Sequence, residues 1–119
     1  TEAALRVLAD TSGGPDAKHI AVLGDMLELG NHSSAEHYRI GRVAAYKADL
    51  ILTYGRQSIH TVQGAVTGGA SQRCAMNFLN QEELLNVLKS RARSGDVLLF
   101  KGSHGMHMEE ILKAFMKDD

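Results

Sequence analysis

Residues 97–116, VLLFKGSHGMHMEEILKAFM, decide the fold. Val97 to Phe100 is an all-apolar run, the pattern of a strand covered on both faces. Met108, Ile111, Leu112, Phe115 and Met116 recur at i, i+3, i+4, i+7 and i+8, which is one stripe of an amphipathic helix. Between them lie Lys101, Gly102, Ser103, His104 and Gly105. The stretch therefore reads as strand, glycine-bearing turn with a lysine, then helix. Free backbone N–H groups at a helix start, two permissive glycines and a cation suit an anion. A plain strand-to-helix turn with Lys101 in water accounts for the same residues, and both readings stay open at this point.

Outward from this stretch the same alternation repeats. Ser94-Gly95-Asp96 turns into the strand just described. Before it, Asn80 with Glu83 in capping-box spacing opens a helix whose buried stripe is Leu84, Leu85, Leu88 and Ala92. Arg73 to Phe78 is a strand with Cys74, Met76 and Phe78 on one face. Ile59, Val62 and Val66 line a helix that stops at Gly68-Gly69. Gly55-Arg56-Gln57 joins that helix to a strand at Leu50 to Tyr54. Ser33 and Glu36 fit a capping box for a helix running to about Lys47, with Ile40, Val43 and Ala44 inside. Gly24 to His32 is a loop after the first strand, His19 to Leu23. Thr1 to Ala9 reads as a helix with Leu5 and Leu8 inward, ended by a run of breakers from Asp10 to Asp16.

Strands alternating with helices at this spacing mean right-handed crossovers and a parallel sheet. The expected fold is α/β: a Rossmann-like three-layer domain, with a mostly parallel sheet of at least four strands in the order 3-2-1-4 and helices on both faces. Ligands of such sheets bind beyond the carboxyl ends of the strands, where strand order reverses. With this order the reversal lies between the first and fourth strands. The loops that follow them, Gly24–His32 and Lys101–Gly105, are also the two least ordinary connectors, which favours the anion reading.

Composition narrows the function classes. A chain of 119 residues is one domain, 1–119, with 44% hydrophobic and 23% charged residues, ordinary for a globular protein. A net charge of −1 and no basic stripe argue against nucleic acid as a partner. No apolar run approaches the roughly 18 residues of a membrane span, and no signal peptide is visible. The lone cysteine, Cys74, excludes an internal disulfide and fits a reducing compartment. The start at Thr1, directly into a helical pattern, gives the expectation of a fragment cut from a longer protein.

The chemistry-bearing residues are few. There is no G-x-x-x-x-G-K-[ST] phosphate loop, and Gly24 stands alone after the first strand without a G-x-G-x-x-G pattern. Asp25 and Glu28 can bind a substrate ammonium or a magnesium-linked water, or can simply cap the loop. The six histidines lack zinc-like spacing, so no metal ligand is assigned. His37, on the first turn of a helix near the Asp25 loop, is the one expected to face the crevice. Ser103 lacks the strained G-x-S-x-G turn of a nucleophile, and a hydrogen bond to a substrate carboxylate suits it better. Met106 sits at the turn and is expected to line the crevice. No catalytic residue is assigned.

Two stretches, VLGDMLELGNHSSAEHYRIG at 22–41 and LLFKGSHGMHMEEIL at 98–112, together resemble the C-terminal domain of the Mur ligases. The likeness covers nearly the whole chain and is strongest to the members that add D-alanyl-D-alanine. It implies the third domain of a three-domain enzyme, with the N-terminal and central domains outside this chain. It implies ATP-dependent amide formation on UDP-N-acetylmuramoyl-tripeptide through an acyl phosphate. D-Alanyl-D-alanine would be the acceptor, and ATP and Mg²⁺ would be held mainly by the central domain. The substrate-binding candidates are Gly24, Asp25, Met26, Glu28, His37, Lys101, Gly102, Ser103, His104, Gly105 and Met106. At His104 the family often carries arginine, so the resemblance implies a weaker charge contact at this position. Rival expectations are the equivalent domain of a related ligase, or a stand-alone Rossmann-like binding module. A response-regulator-like domain would want more acidic residues after the first strand.

Overall fold

Four apolar runs become β1 (His19–Gly24), β2 (Leu50–Tyr54), β3 (Ala75–Phe78) and β4 (Val97–Lys101). In the computed structural model, which describes residues 1–117, they pair in parallel in the order β3-β2-β1-β4, as expected. Val22 lies level with Leu52 on one side and Phe100 on the other. The helices are α1 (Glu2–Asp10), α2 (Ser33–Lys47), α3 (Ile59–Thr67), α4 (Gln81–Arg91) and α5 (Met108–Met116). No helix among the described residues is long and apolar enough to cross a membrane.

The two-residue period of β1 splits the core in two. Ala21 and Leu23 face a layer with Leu5, Leu8, Ile40, Ala44 and Ala65, which come from α1, α2 and α3. Ile20 and Val22 face Leu84, Leu88, Met108 and Ile111, from α4 and α5. Leu84 and Leu88 are fully buried, and each holds α4 down with about 1.5–3 kcal/mol of transfer free energy. Asn80 caps α4 as expected, its side chain accepting from the Glu83 N–H at 3.1 Å.

Several local expectations are corrected. The inner face of α3 is Thr61, Gly64 and Ala65, whereas Ile59 and Val66 are exposed. The cause is close helix packing. A Cβ on Gly41 of α2 would sit 1.9 Å from the Thr61 carbonyl oxygen, and one on Gly64 would sit 2.0 Å from that of Tyr38. Small residues therefore define the contact. Ser33 forms no capping box: α2 begins at Ser33 without a side-chain cap, and Glu36 pairs with Arg39 instead. Leu112 and Met116 fall off the buried stripe of α5. Val97 to Phe100 are half-buried rather than covered on both faces, because β4 has β1 as its one hydrogen-bonded neighbour. Cys74 precedes β3, which starts at Ala75.

Candidate functional site

At the carboxyl end of β1 three consecutive backbone amides each tie to a different element. Asp25 N–H donates to the Tyr54 carbonyl of β2 at 3.1 Å. Met26 N–H donates to His37 Nε2 of α2 at 3.0 Å. Leu27 N–H donates to Ser103 Oγ, past the end of β4, at 2.7 Å. Ser103 N–H returns a bond to the Asp25 carbonyl at 3.0 Å. The loops after the first and fourth strands, singled out by topology, are thus braced into one corner.

Asp25 is the buried centre of this corner, 4% exposed. Its Oδ1 accepts from Ser58 N–H at 2.8 Å and from the Ser58 hydroxyl at 2.6 Å, and its Oδ2 accepts from Gln57 N–H at 3.1 Å. Ser58 is the N-cap position of α3 and makes no cap bond of its own. A carboxylate from the loop after β1 therefore caps α3, where orphan N–H groups and the helix dipole favour negative charge. Gly55 makes room for it. Its φ is +121°, and a Cβ there would lie 2.4 Å from the carboxyl carbon.

His37 does not face the crevice; it is fully buried. Its Nδ1 lies 2.7 Å from the Ser33 carbonyl oxygen, which can only accept, so Nδ1 carries the proton and Nε2 is left to accept from Met26. This neutral tautomer holds the loop from behind. Gly24 and Gly102 lie side by side where β1 and β4 end, against Met108. Glu28, His104 and Gly105 are exposed, and Met26 and Met106 are half-buried.

Lys101, exposed, places one cation at this edge. Beside it a cleft of about 280 Å³ is lined by Ser103, His104 and Glu109 over Phe100 and Met108. The Glu109 carboxyl is held below the usual carboxylate range, mainly by a hydrogen bond from its own backbone N–H and then by His107. Nearby, His107, Glu109 and Glu110 bring ligand-type atoms within 4.8 Å of one another, all exposed. Acidic side chains in the first turn of α5 suit its dipole without any ion. For ATP with Mg²⁺ the fit within this chain is poor. The phosphate loop is absent from the sequence, and the clustered carboxylates face solvent.

Sequence reasoning missed the third loop at this edge, Gly55-Arg56-Gln57-Ser58 after β2. Gln57 and Ser58 anchor Asp25, and Arg56 lines a separate concavity with Tyr54, Gly55, Leu79, Met106 and Asp25. The signal that would have found it is the rule that every loop at the carboxyl edge of a parallel sheet belongs to the candidate site.

Residues 1–104 match the family described as Mur ligase, glutamate ligase domain. Among curated relatives, a Bacillus subtilis UDP-N-acetylmuramoyl-tripeptide–D-alanyl-D-alanine ligase is 38% identical over 97 residues, 81% of this chain and 21% of the relative. An Escherichia coli protein of the same name is 34% identical over 119 residues, 98% of this chain and 24% of the relative. Among solved structures, MurF from Acinetobacter baumannii superposes with a TM-score of 0.77 at 30% identity, covering 98% of this chain and 24% of that one. The chain therefore spans about a fifth to a quarter of the length of the relatives it matches. With the family match across most of its length, and a fold shared with solved MurF domains, this chain belongs to the Mur ligase family, as its glutamate ligase domain.

Proposed function

We propose that this chain is the acceptor-presenting C-terminal domain of an ATP-dependent ligase. That enzyme joins D-alanyl-D-alanine to UDP-N-acetylmuramoyl-tripeptide in cytoplasmic peptidoglycan precursor synthesis. The observation that carries the reading is the braced corner: Leu27 N–H on Ser103 Oγ and Ser103 N–H on the Asp25 carbonyl, with Lys101 projecting beside it. Kinship with ligases named for this reaction supplies the reaction class. Amide formation needs the dipeptide amine aimed at an activated carboxyl group, and a rigid edge that presents the dipeptide does that by positioning. Lys101 supplies a cation for an anionic reacting group, which a water-poor interface between domains would strengthen. ATP and Mg²⁺ belong to residues outside these 119, so the chain alone is inactive.

The test is steady-state kinetics of the full-length enzyme that carries this chain. Lys101→Ala should lower kcat/KM for D-alanyl-D-alanine by about 100-fold. Unchanged kinetics would remove Lys101 from the site.

A further inference from the structure

The dipeptide that this edge presents carries a carboxylate and two methyl groups, and the cleft beside Lys101 suits it poorly. That cleft also contains Glu109, whose carboxyl is held ionised, so a second carboxylate there meets like charge. A separate concavity of about 580 Å³ is lined by Tyr54, Gly55, Arg56, Leu79, Met106 and Asp25, within the size range of small-molecule sites. Its one cation is Arg56, exposed, with no hydrogen bond or ion pair for its guanidinium among the described residues. The one acidic lining residue, Asp25, is already committed to Gln57 and Ser58. Leu79 is 67% exposed although it directly follows β3, and with Tyr54 and Met106 it gives the concavity apolar walls.

We infer that Arg56 anchors the free carboxylate of the acceptor dipeptide, with Tyr54, Leu79 and Met106 receiving its methyl groups. A guanidinium grips a carboxylate through two parallel N–H bonds, and Leu79, Met106 and the Tyr54 ring offer apolar surface to the methyl groups. Arg56 thus becomes a specificity determinant, and Lys101 is left for the phosphate side of the reaction. This inference rests on the acceptor reading above.

The experiment uses the full-length enzyme with two acceptors, D-alanyl-D-alanine and its C-terminal amide, which lacks the anion. Arg56→Ala should raise KM for D-alanyl-D-alanine by about 10- to 100-fold, the weight of a hydrogen bond to a charged group. It should leave KM for ATP and for the UDP-linked substrate unchanged, and should leave KM for the amide equal to that of the wild type. Arg56→Lys should recover part of the loss. An unchanged KM for D-alanyl-D-alanine, or an equal rise for the amide, would overturn the assignment while leaving the ligase reading intact. A wild-type enzyme that does not use D-alanyl-D-alanine would remove both.

Discussion

At the residue scale the informative side chain is Asp25. An isolated carboxylate past the end of a strand has the pattern of a ligand group, yet this one is spent on Gln57 and Ser58, 32 and 33 residues further on. Its part is to position. Asp25→Asn keeps the shape but turns an NH₂ group toward a ring of donors. It should lower stability by about 1–3 kcal/mol, read as a shift in urea midpoint, and should speed amide exchange at Met26 and Leu27. If Asp25 instead held the substrate ammonium, the acceptor KM would rise with stability and exchange unchanged. Sequence alone could not choose, because the bonds that decide the matter are long-range. His37 was obscure for the same reason. A polar residue on a helix reads as exposed until the Met26 amide that needs it is placed at 3.0 Å.

At the scale of elements, strands were legible and helix faces only partly so. Ile20 to Leu23 and Leu50 to Leu52 are apolar at every position because both sheet faces are covered, and such runs announce themselves. The α2–α3 contact was not legible, because what it selects is small size rather than hydrophobicity. Gly64→Ala should force the helices apart and cost about 1–3 kcal/mol, measured by thermal unfolding, whereas Val66→Ala on the exposed side should cost far less. The turn into β4 is held by a carboxylate. Lys18 N–H and Arg93 N–H donate to Asp96 at 2.9 and 2.8 Å and hold its carboxyl below the ordinary value. A lowered folded-state pKa means stabilisation that is complete above the unfolded value of about 3.9. It is lost as pH falls through the folded one. Asp96→Asn should therefore flatten the decline of stability below about pH 4 seen by urea titration. An unaltered acid slope would contradict this.

At the scale of the molecule, the sheet order was enough to say which edge to inspect, and the two loops it singled out do meet there. The loop after β2 lies outside the switch point and joins this edge through the bonds of Gln57 and Ser58 to Asp25. Strand order fixes where the sheet reverses, whereas the site depends on which three loops touch. The account's central claim is that this edge serves an enzyme whose acceptor is D-alanyl-D-alanine, although the family it belongs to is described by glutamate ligation. The most direct measurement is phosphate release by the full-length enzyme, given ATP and UDP-N-acetylmuramoyl-tripeptide, with D-alanyl-D-alanine and D-glutamate supplied separately. The account predicts turnover that depends on the dipeptide and is absent with D-glutamate; turnover with D-glutamate and none with the dipeptide would contradict it.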